Sequence, residues 1–181
     1  MSRIALIPVS CKPFHVGHDA LIRLACSECD EAIVFVSTAD RVRKGEFPIK
    51  FNTMRKLWDE VILESLPDNM ILQFVPNPVT AVYAFIGVRN MDPLVSSESL
   101  VIYSDTEDMD HNFPESNMVK CSATLVKERK IIRRHVPRNT TVNVSGTQMR
   151  AWLMHGNKER FFAHLPCGMD GEAVWSALVR R

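Results

Sequence analysis

The sequence predicts an α/β protein: a doubly wound parallel sheet of about five strands, flanked by helices, with a short C-terminal helical extension. Three observations predict it. Short apolar runs alternate with longer segments of helical period, the pattern of repeated strand–helix–strand units with right-handed crossovers. The runs are uniformly apolar rather than alternating, as in strands covered on both faces of a parallel sheet. With 46% apolar and 24% charged residues, the chain of 181 residues can bury one ordinary core.

Ile4 to Val9 reads as the first strand and Ala32 to Ser37 as the second. Met70 to Val75 is a third, Leu100 to Tyr103 a fourth, and Thr141 to Val144 is expected to supply the fifth. Between them, His18 to Cys29 carries Leu21, Ile22, Leu24 and Ala25 on one helical face. Thr53 to Leu66 places Met54, Leu57, Trp58, Val61 and Ile62 on another, behind the capping-type residue Asn52. Val79 to Arg89 is a third helix, Gln148 to His155 follows the cap Ser145, and Asp170 to Leu178 closes the chain.

A net charge of +1 lacks the basic excess of a dedicated DNA or RNA binder, so no nucleic-acid partner is expected. The opening apolar segment is far shorter than the roughly 18 residues of a membrane span, and five cysteines follow no signal-like run. A cytoplasmic protein with reduced thiols, off the membrane, is the expectation. A homo-oligomer is left open.

Ligands of such sheets sit beyond the carboxyl ends of the strands, where strand order reverses. The loop after the first strand reads Ser10-Cys11-Lys12-Pro13-Phe14-His15-Val16-Gly17-His18, with a helix directly behind it. A helix N-terminus offers unpaired N–H groups and the positive end of the macrodipole to a phosphate. Gly17 lets a phosphate approach the backbone, and His15 and His18 can donate to its oxygens as charge builds during displacement at phosphorus. The bare H-x-G-H pattern is equally open to a solvated, structural reading; its position between a first strand and a first helix carries the case.

Downstream, Ser145-Gly146-Thr147-Gln148-Met149-Arg150 opens another helix. Ser-Gly-Thr there is a good N-cap on its own. It is also a second set of hydroxyls and N–H groups at a helix start, with a cation one turn inside, which suits the β- and γ-phosphates of a triphosphate.

The two motifs together resemble the signatures of the nucleotidylyltransferase superfamily, a first strand followed by PFHVGH and a later S-[SGT]-[ST]-x-x-R. The match is closest to nicotinamide-mononucleotide adenylyltransferases, whose tail is similar to Met149 through Pro166. The resemblance implies a Rossmann-like domain over residues 1–156, with residues 157–181 as a helical extension packed on it. It implies adenylyl transfer from ATP to a mononucleotide such as nicotinamide mononucleotide, a small phosphorylated acceptor, with release of pyrophosphate. Mg²⁺ would be the cofactor, bridging phosphates with few protein ligands. His15, His18 and Lys12 become the catalytic candidates. Pro13, Phe14, Gly17, Ser145, Gly146, Thr147 and Arg150 become the nucleotide-binding ones.

One stretch departs from the family. Many adenylyltransferases carry Gly-Arg-Phe-Gln-Pro before the histidines, where this chain has Val9-Ser10-Cys11-Lys12-Pro13. Ser10 stands at the arginine position, and Lys12, or Arg43 and Lys44 from the loop after the second strand, would supply the charge. Ser10, Arg43, Lys44, Arg55 and Asp105 are the acceptor-side candidates. No metal-ligating side chain is singled out. Asp105 to His111 has acidic composition without EF-hand spacing, and Cys26-Ser27-Glu28-Cys29 lacks a second pair for zinc. The basic run Lys127 to Arg138 reads as a solvated surface or as a border of the triphosphate site. A cytidylyltransferase, a phosphopantetheine adenylyltransferase and a non-catalytic nucleotide sensor are the alternative functions.

Overall fold

In a computed structural model, which describes residues 2–91, 98–137 and 144–180, five strands form one parallel sheet. They are β1 (Ser2–Val9), β2 (Glu31–Ser37), β3 (Met70–Val75), β4 (Glu98–Ser104) and β5 (Ile131–His135), in the order β3-β2-β1-β4-β5. Every neighbouring pair runs parallel, from Val9 beside Val36 to Ser104 beside His135. Strand order reverses between β1 and β4, which opens a crevice beyond their carboxyl ends.

Side chains alternate strictly between two apolar layers. Ala5, Ile7, Val34, Val36 and Tyr103 pack with α1 (Val16–Glu28) and α2 (Phe51–Leu57). The C-terminal helices α7 (Gly146–Met154), α8 (Lys158–Phe162) and α9 (Gly171–Val179) join this layer through Leu153, Phe161 and Leu178. Leu6, Ile33, Phe35 and Ile102 face the other way, against α3 (Pro78–Met91), α4 (Thr106–Asn112), α5 (Glu115–Cys121) and α6 (Ala123–Lys127). Burial on both faces explains why β1, β2 and β4 have no polar alternation.

The fifth strand departs from expectation. Of Thr141 to Val144, residues 141–143 lie outside the described residues, and Val144 is not in a strand. The observed β5 lies inside the basic run instead. An edge strand is covered on one side only, so Ile131-Ile132-Arg133-Arg134-His135 needs no uniform apolarity. Its arginines reach carboxylates on neighbouring helices: Arg133 meets Asp110 at 2.6 Å and Arg134 meets Glu28 at 2.9 Å.

The second helix also differs. It starts at Phe51, with Lys50 rather than Asn52 at the cap, and widens into a π-helical turn over Trp58–Ile62 before a 3₁₀ turn at Leu63–Ser65. The acidic segment Asp105 to His111 proves to be the N-cap and most of α4, where Asp105 accepts from the Asp108 N–H at 3.0 Å. Helices α4, α5, α6 and α8 are too short for their periodicity to stand out in the sequence. No helix among the described residues is long and apolar enough to cross a membrane.

Candidate active site

Two helix N-termini meet at the carboxyl ends of the strands. His15 caps α1 through its ring, whose Nδ1 accepts the Gly17 N–H at 3.1 Å. In the neutral ring the proton must therefore sit on Nε2, which makes that nitrogen a donor. A Cβ on Gly17 would lie 3.1 Å from this ring. The glycine thus makes room for the His15 ring.

His18, one turn on, stacks on His15 with ring centroids 3.8 Å apart and 26° between planes. Phe14 stacks on His18 at 5.8 Å, and Trp58 meets Phe14 edge-on at 5.2 Å. His18 remains partly open, but its Nδ1 is closed off from solvent without a hydrogen-bond partner. Burial, and then the neighbouring His15, hold its pKa well below the ordinary histidine value, so the ring is neutral at pH 7. A neutral imidazole can still donate a hydrogen bond to a phosphate oxygen.

The second motif abuts the first. Ser145 caps α7 in a full capping box: its hydroxyl accepts the Gln148 N–H at 3.2 Å, and Gln148 Oε1 accepts the Ser145 N–H at 2.8 Å. The simple N-cap reading of this serine therefore holds as local structure, and its hydroxyl proton is still available to donate. Gly146 packs so closely that an added Cβ would lie 3.0 Å from Arg150 Nη1 and 3.3 Å from the Lys12 carbonyl. Arg150, one turn inside, donates from Nη1 to Lys12 O at 2.7 Å and from Nη2 to Thr147 Oγ1 at 3.0 Å. Its Nε meets Glu46 Oε2 at 2.9 Å.

Lys12 turns away from a purely solvated role. It is 4% exposed, and its Nζ donates to the Ser37 carbonyl at the end of β2, 2.6 Å away. Burial lowers its pKa from the ordinary lysine value, an effect that the nearby Asp40 carboxylate opposes. Cys11 before it is fully buried, and burial raises its thiol pKa well above the usual range. This cysteine is inert packing, not a nucleophile.

Two cavities of about 290 Å³ each open beside this assembly. One is cationic on balance, lined by Lys12, Arg41 and Arg43 against Asp40, with Ser10 and Ser37. The other, which shares Ser10 and Ser37, extends over Asn77 and Ser104, past the ends of β3 and β4, to Phe113 behind α4. Of the acceptor-side candidates, Ser10 and Arg43 line these cavities and Lys44, Arg55 and Asp105 do not. Lys44 is exposed ahead of Gly45, which turns the chain at φ +81°. Arg55 pairs with Asp59 at 3.9 Å and lies 5.8 Å over the Phe74 ring. Asp105 caps α4.

The residue that sequence reasoning missed is Glu46. Its carboxylate takes both Nε and Nη2 of Arg41, at 2.9 and 3.1 Å, as well as Nε of Arg150. These arginines, Arg41 first, hold its pKa down to about 2. A lone glutamate in a loop carries no sequence signal for such a position; only the loop's return to α7 creates it.

No protein-family model matches the chain, and no curated protein matches it by sequence. Solved structures share its fold, two of them as follows. A Vibrio parahaemolyticus protein provisionally assigned as a nicotinate-nucleotide adenylyltransferase superposes with a TM-score of 0.59 at 14% identity, over 99% of this chain and 100% of that one. Thermotoga maritima TmcAL, crystallised with alpha-thio ATP, superposes with a TM-score of 0.53 at 15% identity, over 99% of this chain. The chain spans 56% of the TmcAL length. At this identity the likeness is one of fold, and the fold is the Rossmann-like one that the motif resemblance implies.

Proposed function

We propose that this protein is a nucleotidylyltransferase that moves the adenylyl group of ATP onto the phosphate of a small mononucleotide, nicotinamide mononucleotide foremost. The observation that carries this reading is the stacked His15–His18 pair at the N-terminus of α1, abutting the capped N-terminus of α7 at the switch point of the sheet. Two helix N-termini, two imidazoles and a guanidinium converging at one place form a site for a polyanion. The fold shared with a protein crystallised with alpha-thio ATP and with a provisionally assigned nicotinate-nucleotide adenylyltransferase supports ATP as the donor.

In the proposed reaction an oxygen of the acceptor phosphate attacks the α-phosphorus of ATP in line. The bond from that phosphorus to the oxygen bridging to the β-phosphate breaks, and pyrophosphate leaves with its electrons. His15 Nε2 and His18 donate to the oxygens where charge grows, and the α7 N-terminus with Thr147 and Arg150 holds the β- and γ-phosphates. Lys12 supplies fixed positive charge, held in place by Ser37. Mg²⁺ would neutralise the phosphate charge.

The test is pyrophosphate release with Mg²⁺, crossing ATP and CTP against nicotinamide mononucleotide, phosphopantetheine and glycerol phosphate. Release confined to ATP with nicotinamide mononucleotide is the expected result. Release in another combination keeps the reaction and replaces the substrate. ATP binding without release in any combination would favour a nucleotide sensor.

A further inference from the structure

Arg150 is engaged on every side of its guanidinium. Two partners, the Lys12 carbonyl and the Thr147 hydroxyl, are neutral and belong to the walls that carry the two motifs. The third, Glu46, is a carboxylate on the loop between β2 and α2. That loop is pinned by an antiparallel bridge between Arg41 and Ile49, and it turns at Gly45 immediately before Glu46.

A carboxylate bridging two guanidiniums presents anionic acceptor oxygens to the same donors that hold a phosphate. Glu46 makes two bonds to Arg41 but a single one to Arg150. If it leaves Arg150, only that one bond breaks, and the Arg41–Glu46 pair stays intact on its loop. Around it the charge is in excess. Arg41 and Arg43 both press on Arg150 electrostatically and line the adjoining cavity with Lys12, while Glu46 is the acidic partner of Arg150 among the described residues. Of the three Arg150 contacts, the one to Glu46 is therefore the one an incoming anion can replace at least cost.

We propose that Glu46 occupies, in the empty protein, the position on Arg150 Nε that an oxygen of the nucleotide's polyphosphate takes on binding, so that Glu46 sets the affinity of the site for polyphosphate. This rests on the nucleotide reading above. The carboxylate keeps Arg150 oriented and its charge offset while no ligand is present, and polyphosphate binds against it as a competitor.

Calorimetric titration of the full chain with inorganic tripolyphosphate tests this, comparing wild type, Glu46→Gln and Glu46→Ala at fixed salt. Both variants should bind about tenfold more tightly than wild type, because the competing charge is gone. Steady-state assays with ATP should show a lower KM for both variants, whereas loss of a purely structural tie would raise it. Equal or weaker tripolyphosphate binding by folded variants would overturn the role of Glu46 and leave the nucleotide reading standing. Binding to none of the three proteins would overturn both.

Discussion

The guanidinium of Arg150 donates to the backbone carbonyl of Lys12 across 138 residues of sequence, at 2.7 Å. The bond ties the loop that leads into the first motif to the helix that carries the second. Arg150 is 5% exposed, so the carbonyl has no water to turn to if the arginine is removed. The same side chain reaches Thr147 and Glu46, and so fastens the loops after β1 and β2 to α7.

Arg150→Met should accordingly destabilise the fold by about 3 kcal/mol, from lost hydrogen bonds and a buried carbonyl left unpaired. Urea unfolding read at its midpoint measures this. A loss below about 1 kcal/mol would mean that the arginine is held for ligand binding alone.

His18→Ala should lower kcat by about 10²- to 10³-fold, the usual effect of removing one donor from a developing charge. ATP binding should weaken far less, because the donor acts mainly on the transition state. Turnover and calorimetric ATP affinity are measured side by side. Equal losses in both would assign His18 to ground-state binding.

Glu46 makes stability depend on acid. Its carboxyl is held down to about 2 against an ordinary value of 4.5, so the unfolded chain takes up this proton more readily than the folded one. The stabilisation is complete above pH 4.5 and is lost as pH falls towards 2. Thermal unfolding from pH 6 down to pH 2.5 should therefore decline more steeply for wild type than for Glu46→Gln. Parallel curves would show that the carboxylate is not tied to Arg41 and Arg150 in solution.

Gly146→Ala would set a methyl 3.0 Å from Arg150 Nη1 and 3.3 Å from Lys12 O. The crowding falls on the bond that joins the motifs, with a backbone carbonyl as one wall. A loss of about 1–2 kcal/mol is expected, with weakened ATP binding. Gly87, whose added Cβ would meet nothing within 4 Å, serves as the control, and its alanine variant should match wild type in ATP binding.

Much of this architecture was legible from residue patterns alone. Strands β1, β2 and β4 are apolar runs because both their faces are covered, and burial of that kind is written directly in composition. Ser145 announces the start of α7 because a cap is a local interaction, complete within four residues. The paired histidines are legible for the same reason: His15 caps the helix on which His18 stands one turn later. Edge strand β5 was hidden because its arginines find their carboxylates on α4 and α1, far away in sequence.

By itself, then, the amino-acid sequence determined the sheet's inner strands and the helix starts that carry both motifs. All of these follow from hydrophobic periodicity and capping, which act over a few residues. Only the tertiary structure decided that Lys12 would be buried against Ser37, that Arg150 would clasp Lys12 from the other end of the chain, and that Glu46 would stand between two arginines. Those are electrostatic and hydrogen-bonded contacts across 25, 138 and 104 residues, and no local pattern encodes which distant partner a charge will meet.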